Sequence, residues 1–100
     1  MVKLHWTPQA IDDLEAIFGY ISHDSRSVAK LFVEKLYYRV DQIRHFPMSG
    51  RTVPEIEDET IRELIYKNYR IVYQVLHKDQ VRILTVFQSG KKLDETTFPD

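Results

Sequence analysis

The chain contains no cysteine, which excludes disulfides, thiolate catalysis and cysteine-based zinc sites. Only three glycines and four prolines occur, too few for a fibrous or disordered chain. Three glycines at positions 19, 50 and 90 also cannot build a phosphate-cradling glycine loop. No segment approaches the roughly 18 apolar residues of a membrane span, and the opening Met-Val-Lys-Leu-His-Trp lacks the apolar stretch of a signal peptide. The expectation is a cytoplasmic protein with no membrane contact. Neither sign of charge is in excess: 14 Lys plus Arg against 15 Asp plus Glu give a net charge of −1. That balance disfavours general nucleic-acid binding, whose affinity depends on phosphate neutralisation. The four histidines at 5, 23, 45 and 77 include no i, i+4 pair, and no Gly-x-Ser-x-Gly elbow is present, so no metal and no cofactor is expected.

What is present is a generous core. An apolar fraction of 43%, with 12% aromatic, in 100 residues predicts one domain spanning residues 1–100. Val2, Leu4 and Trp6 alternate with Lys3 and His5, the period of a half-buried strand. Thr7 is then a good helix N-cap and Pro8 suits the first helical position, with Asp12 and Asp13 placed to favour the N-terminal dipole. Ala10, Ile11, Leu14, Ile17, Phe18 and Ile21 form a buried stripe at helical spacing. Asp24 or Ser25 caps a second, longer helix whose stripe is Val28, Leu31, Phe32, Leu36, Val40 and Ile43. Phe46-Pro47 ends it, because the residue before a proline is driven from the helical region.

Residues 48–59 form a loop long enough to need a reason, and its acidic run Glu55, Glu57, Asp58 and Glu59 reads as a solvated stretch. Three strands follow, Ile61 to Tyr66, Tyr69 to His77 and Val81 to Gln88, joined by turns in which Asn68 and Asp79 are best suited to left-handed dihedrals. In the middle strand Tyr69, Ile71, Tyr73 and Val75 share one face, and Arg70, Val72, Gln74 and Leu76 the other. The last strand is apolar on both, which favours a central position, though one extra turn residue would flip which face meets the helices. The fold class is α+β: an N-terminal strand and a two-helix hairpin packed on a small antiparallel sheet.

The residues with chemistry in reach are Arg62, Lys67, Arg70, Arg82, Lys91 and Lys92, near Tyr66, Tyr69, Tyr73 and Phe87. Such a set can stabilise charge on a phosphodiester, stack bases or grip an acidic partner peptide. The plainer alternative is that the tyrosines fill a core edge and the cations are solvated ends.

The segment Arg62-Glu-Leu-Ile-Tyr-Lys-Asn-Tyr-Arg-Ile-Val-Tyr-Gln-Val resembles the central strands of the RelE/ParE superfamily of toxins from type II toxin–antitoxin modules. Thr7-Pro8, Phe46-Pro47, Ser49-Gly50-Arg51 and Val53-Pro54-Glu55 agree, so the similarity covers nearly the whole chain. It implies a two-helix hairpin on a small antiparallel sheet, neutralised by a cognate antitoxin of ParD-like or similar kind that wraps the toxin. RelE-like members cut messenger RNA on the ribosome, whereas ParE-like members inhibit DNA gyrase.

The resemblance is closer to the ParE branch. RelE-type cleavage relies on strand and C-terminal cations with a late tyrosine, and here the chain after Lys92 contains none; other nucleases of the superfamily place a histidine where this chain has Gln88. A cluster missing several charge-stabilising groups loses about 2.7 to 4 kcal/mol for each. The resemblance thus implies a non-enzymatic gyrase inhibitor in a plasmid-stabilisation module, with Arg62, Lys67, Arg70, Arg82, Lys91 and Lys92 contacting partners. The alternative is a ribosome-dependent endoribonuclease using Arg70, Tyr73 and Lys92. A second alternative is a non-toxic member that only binds its antitoxin.

Overall fold

The computed structural model describes residues 1–77 and 79–90. The elements run β1 (Lys3–Trp6), α1 (Pro8–Ser22), α2 (Arg26–Asp41), a 3₁₀ turn (Gln42–Arg44), β2 (Arg51–Thr52), β3 (Ile61–Tyr66), β4 (Tyr69–His77) and β5 (Gln80–Gln88). The five strands make one sheet in the order β1-β5-β4-β3-β2. Pairings within β2 to β5 are antiparallel, but β1 runs parallel to β5, with Leu4 opposite Val81 and Trp6 opposite Ile83. The sheet is therefore mixed, where the sequence suggested a purely antiparallel one. A lone alternating strand at the N-terminus carries no sign of its partner's direction, and only the path of the helical hairpin decides it.

Thr7 performs two tasks at that junction. Its hydroxyl oxygen accepts from Ala10 N as the cap of α1, and the same hydroxyl donates to the carbonyls of Ile83 and Leu84. Asp12 and Asp13 lie beyond the first turn of α1 and do not serve its dipole. Asp13 instead accepts from Thr85 Oγ1 and Val86 N, tying the helix to β5 beside a register shift between β4 and β5. A bulge leaves ladder groups unpaired, and a carboxylate from the covering helix satisfies one of them. Ser25 caps α2, its Oγ accepting from Val28 N at 3.3 Å.

The helix-covered side of the sheet buries Leu36, Val40 and Ile43 from α2 and the 3₁₀ turn, Ala10 and Ile17 from α1, and Leu64, Tyr69, Ile71, Tyr73, Val81, Ile83 and Val86 from the strands. Both central strands are apolar on their other face as well, where Val53 from the long loop joins Ile61 and Val72, with Ile56, Leu84 and Phe87 packed around them. The inward stripe of α2 is Ala29, Leu36 and Val40. Val28 and Leu31, expected there, are 55% and 52% exposed, as is Ile11 on α1 in large part. At 100° per residue, 28, 31, 35, 38 and 42 fall on one arc and 29, 36, 40 and 43 on another, so α2 carries two stripes that the apolar pattern alone merged. Lys67, not Asn68, takes the positive φ (53°) of the β3–β4 turn; the other turn includes Lys78, outside the described residues.

Gly50 leads into β2 at a point of close approach. Its N donates to Tyr73 Oη at 2.8 Å, while Tyr73 donates to Pro47 O at 2.9 Å. A Cβ there would meet Tyr73 Oη at 2.5 Å and the Glu63 carbonyl at 2.6 Å. Gly50→Ala should therefore lower the unfolding free energy by about 1–3 kcal/mol, measured by urea denaturation. Burial also holds the Tyr73 phenol above its ordinary pKa of 10.0, against the lowering effect of Gly50 N and the Arg62 charge. A group raised in the folded state stabilises fully below its unfolded value and loses that contribution as pH rises through the folded one. Stability should consequently fall more steeply between pH 9 and 11 in the wild type than in Tyr73→Phe, a difference readable from denaturation curves at each pH.

Candidate partner-binding site

Strand β4 distributes its candidates on opposite faces. Arg70 points to the rear face with Val72, and Tyr73 to the helix-covered face with Ile71. Arg70 is only 5% exposed and is enclosed by carboxylates. Its Nε donates to Glu63 Oε1 at 2.6 Å, and its two terminal nitrogens reach Glu55 at 2.6 and 2.8 Å. Glu63, 1% exposed, gives its other oxygen to Arg51 Nε at 2.6 Å, and the Phe87 ring lies 5.2 Å from the Arg70 guanidinium. The Glu55 bonds raise the Arg70 pKa far above its usual range, outweighing a burial effect of opposite sign, with Glu63 adding to the rise.

This arrangement revises the reading of the acidic loop. Glu55 is not a solvated charge but half of a bidentate pair that fastens residues 53–56 over the rear of the sheet. Asp58 turns inward on its own loop, accepting from Thr60 N and Thr60 Oγ1, and the Thr60 hydroxyl bond first, then the backbone one, lowers its pKa. Glu57 and Glu59 remain exposed. Neither Glu55 nor Glu63 is distinguishable from a surface carboxylate by composition. The available signal is positional: Glu63 lies at the parity of Ile61 and Ile65 in a strand whose two faces are both covered.

The other candidates are scattered. Arg62 faces Tyr73 across the β3–β4 ladder and donates to Gly50 O at 3.0 Å. Lys67 is exposed on the turn, its Nζ 5.9 Å from the Tyr66 ring. Arg82 is on β5, its terminal nitrogen 3.1 Å from Gln74 Oε1. Lys91 and Lys92 lie outside the described residues. Arg70 and Tyr73 are thus not brought to one point, and the Tyr73 hydroxyl is bonded within a fully buried side chain.

Beside Lys67 the molecule offers a different kind of surface. A groove of about 420 Å³ runs between α2 and the end of β3, lined by Leu31, Lys35, Tyr38, Arg39, Gln42 and Tyr66, together with Glu34. Tyr38 is 68% exposed, and Val28 extends the same stripe. Large apolar side chains held in water at helical spacing, alternating with cations, are the features of a helix-docking surface rather than a reaction centre. Removing the Arg70 side chain should cost about 3–5 kcal/mol, because Glu63 is left buried with one partner and the loop loses its tie. Arg70→Ala measured by chemical denaturation checks this, and Leu31→Ala in the groove should change stability by under about 0.5 kcal/mol.

A family model described as the ParE toxin of the type II toxin–antitoxin system parDE matches residues 4–93. No curated protein sequence matches the chain. Among solved structures, the chromosomal ParDE toxin–antitoxin system from P. aeruginosa superposes with a TM-score of 0.73 at 23% identity, covering 88% of this chain and 96% of that one. The heterotetrameric YoeB-YefM toxin–antitoxin complex from Staphylococcus aureus superposes with a TM-score of 0.52 at 17% identity, covering 85% and 93%. Both share the two-helix hairpin on a small sheet, and with the family match over ninety residues of one hundred, the chain belongs to the ParE toxin family of type II toxin–antitoxin systems.

Proposed function

We propose that this toxin acts without chemistry of its own, by binding DNA gyrase in the cytoplasm, and that a cognate antitoxin neutralises it by occupying the α2–β3 groove. The observation that carries the first part is the placement of Arg70 and Tyr73. A ribosome-dependent nuclease needs its cations and its proton-transfer group converging on one phosphodiester. In this chain the two stand on opposite faces, each engaged within the protein. Among the described residues no helix is long and apolar enough to cross a membrane, which accords with action inside the cell.

The groove supports the second part. Leu31, Tyr38 and Tyr66 offer apolar contact and Lys35 and Arg39 offer charge, which suits an amphipathic segment with acidic flanks that orders on binding. Arg62 and Lys67 border the strands on that side, whereas Arg70 can contact a partner only if Glu55 is displaced.

Purified toxin added to gyrase at micromolar concentration is expected to reduce supercoiling of relaxed plasmid, and addition of equimolar antitoxin to restore it. Unaffected supercoiling, together with cleavage of messenger RNA at the ribosomal A site after induction, would transfer the reading to the nuclease branch. Leu31→Asp is expected to weaken antitoxin affinity by at least tenfold by calorimetric titration while leaving the thermal midpoint of the free toxin nearly unchanged.

A further inference from the structure

Away from both the Arg70 network and the α2–β3 groove, one corner of the rear face collects basic side chains. Cross-strand pairing aligns His5, Arg82 and Gln74 in one row and Lys3, Gln80 and His77 in the next. Neighbouring strands are about 4.8 Å apart and alternate residues about 6.8 Å, so Lys3, His5 and Arg82 form a compact triangle. They border a shallow groove of about 420 Å³ whose lining adds Leu4, Gln80, Val81 and the 39%-exposed Leu76. Among the described residues, no carboxylate lines that groove, and Lys3, His5 and Arg82 have no ion-pair partner.

Arg82 differs sharply from its counterpart on β4. Arg70 meets carboxylates at Nε and at both terminal nitrogens. Arg82 meets one neutral acceptor, the Gln74 amide oxygen, and its Nε is enclosed with no acceptor among the described residues. A guanidinium partly withdrawn from water and offered only an amide gains strongly from a carboxylate, since charge-assisted bonds are about twice as strong as neutral ones.

We propose that this corner, formed by Lys3, His5, Leu76 and Arg82, is a docking site for an acidic, extended segment of a protein partner. Charge complementarity selects an anionic occupant. Leu76 beside the cations selects one with an apolar side chain flanked by carboxylates. A nucleic-acid strand fits less well, because among the described residues no Trp, Tyr or Phe lines the groove and only the small His5 ring could stack a base, and stacking supplies much of single-strand affinity. The site is on the opposite side of the sheet from α2, so an occupant here and one in the α2–β3 groove can bind together, and the proposal does not depend on gyrase being the target.

The test uses isotope-labelled toxin and the peptide acetyl-Glu-Glu-Leu-Glu-Glu-amide, followed by backbone amide shifts. Saturable shifts confined to β1, the end of β4 and the start of β5 are expected, absent with the Gln-Gln-Leu-Gln-Gln analogue. Lys3→Gln and Arg82→Gln should each weaken binding at least fivefold, whereas Lys30→Gln on the far side of α2 should leave it unchanged; the dispersion of the spectra reports whether each variant is folded. Absence of shifts at millimolar peptide, shifts that survive Arg82→Gln, or tighter binding of an octathymidylate at the same amides would each overturn the proposal.

Discussion

The buried Glu63 carboxylate is the constraint around which the rear half of this molecule is arranged. A carboxylate so fully withdrawn from water is tolerable only when paired and hydrogen-bonded, and Glu63 meets that demand with Arg70 on one oxygen and Arg51 on the other. Satisfying Glu63 buries Arg70, and satisfying Arg70 recruits Glu55 from the loop that follows β2. The residues between the helices and β3 are therefore held by ion pairs as well as by the short β2 ladder, and the same segment sets Val53 on Ile61 and Val72.

The two faces of the sheet are held by different physics, and their functions divide accordingly. The helix-covered face is a dispersion-packed core, locked to α1 by the Asp13 bonds and to the loop by the Tyr73 hydroxyl. Among its exposed apolar extensions is the second stripe of α2, with Val28, Leu31 and Tyr38 largely in water. The rear face combines the Arg70–Glu63–Glu55 ion network with an apolar cluster around Val72, whereas at its β1 corner Lys3 and Arg82 have no carboxylate partner among the described residues. Surfaces of these two kinds differ in chemistry, one apolar and one cationic.

Much of this was legible in the amino acids. The limits of β3 and β4 and the caps Thr7 and Ser25 follow from alternation, turn residues and hydroxyl chemistry, all local signals. The parallel pairing of β1 with β5 does not, because direction is set by the hairpin between them. Nor does the engagement of Glu55 and Glu63 with Arg70: a pair separated by eight residues and meeting at an arginine depends on how a loop folds back, and nothing in the loop's composition announces it. Apolar spacing places Val28 and Leu31 in the core because two apolar stripes on one helix look like a single broad one. The surplus apolar residues form a second, exposed stripe, distinguishable once the core stripe is fixed by Ala29 and Leu36.

The pairing of β1 with β5 joins residues 3–6 to residues 80–83, a contact of very high sequence separation. Such contacts form late, since the loop entropy must be overcome before they contribute. During synthesis the helical hairpin and its apolar stripes exist before β5 has left the ribosome, and β1 has no strand to join until it does. The sheet, and with it every surface that requires the sheet, is completed only once β5 has been made. Until then the α1–α2 hairpin holds its apolar stripes without the strands that cover them.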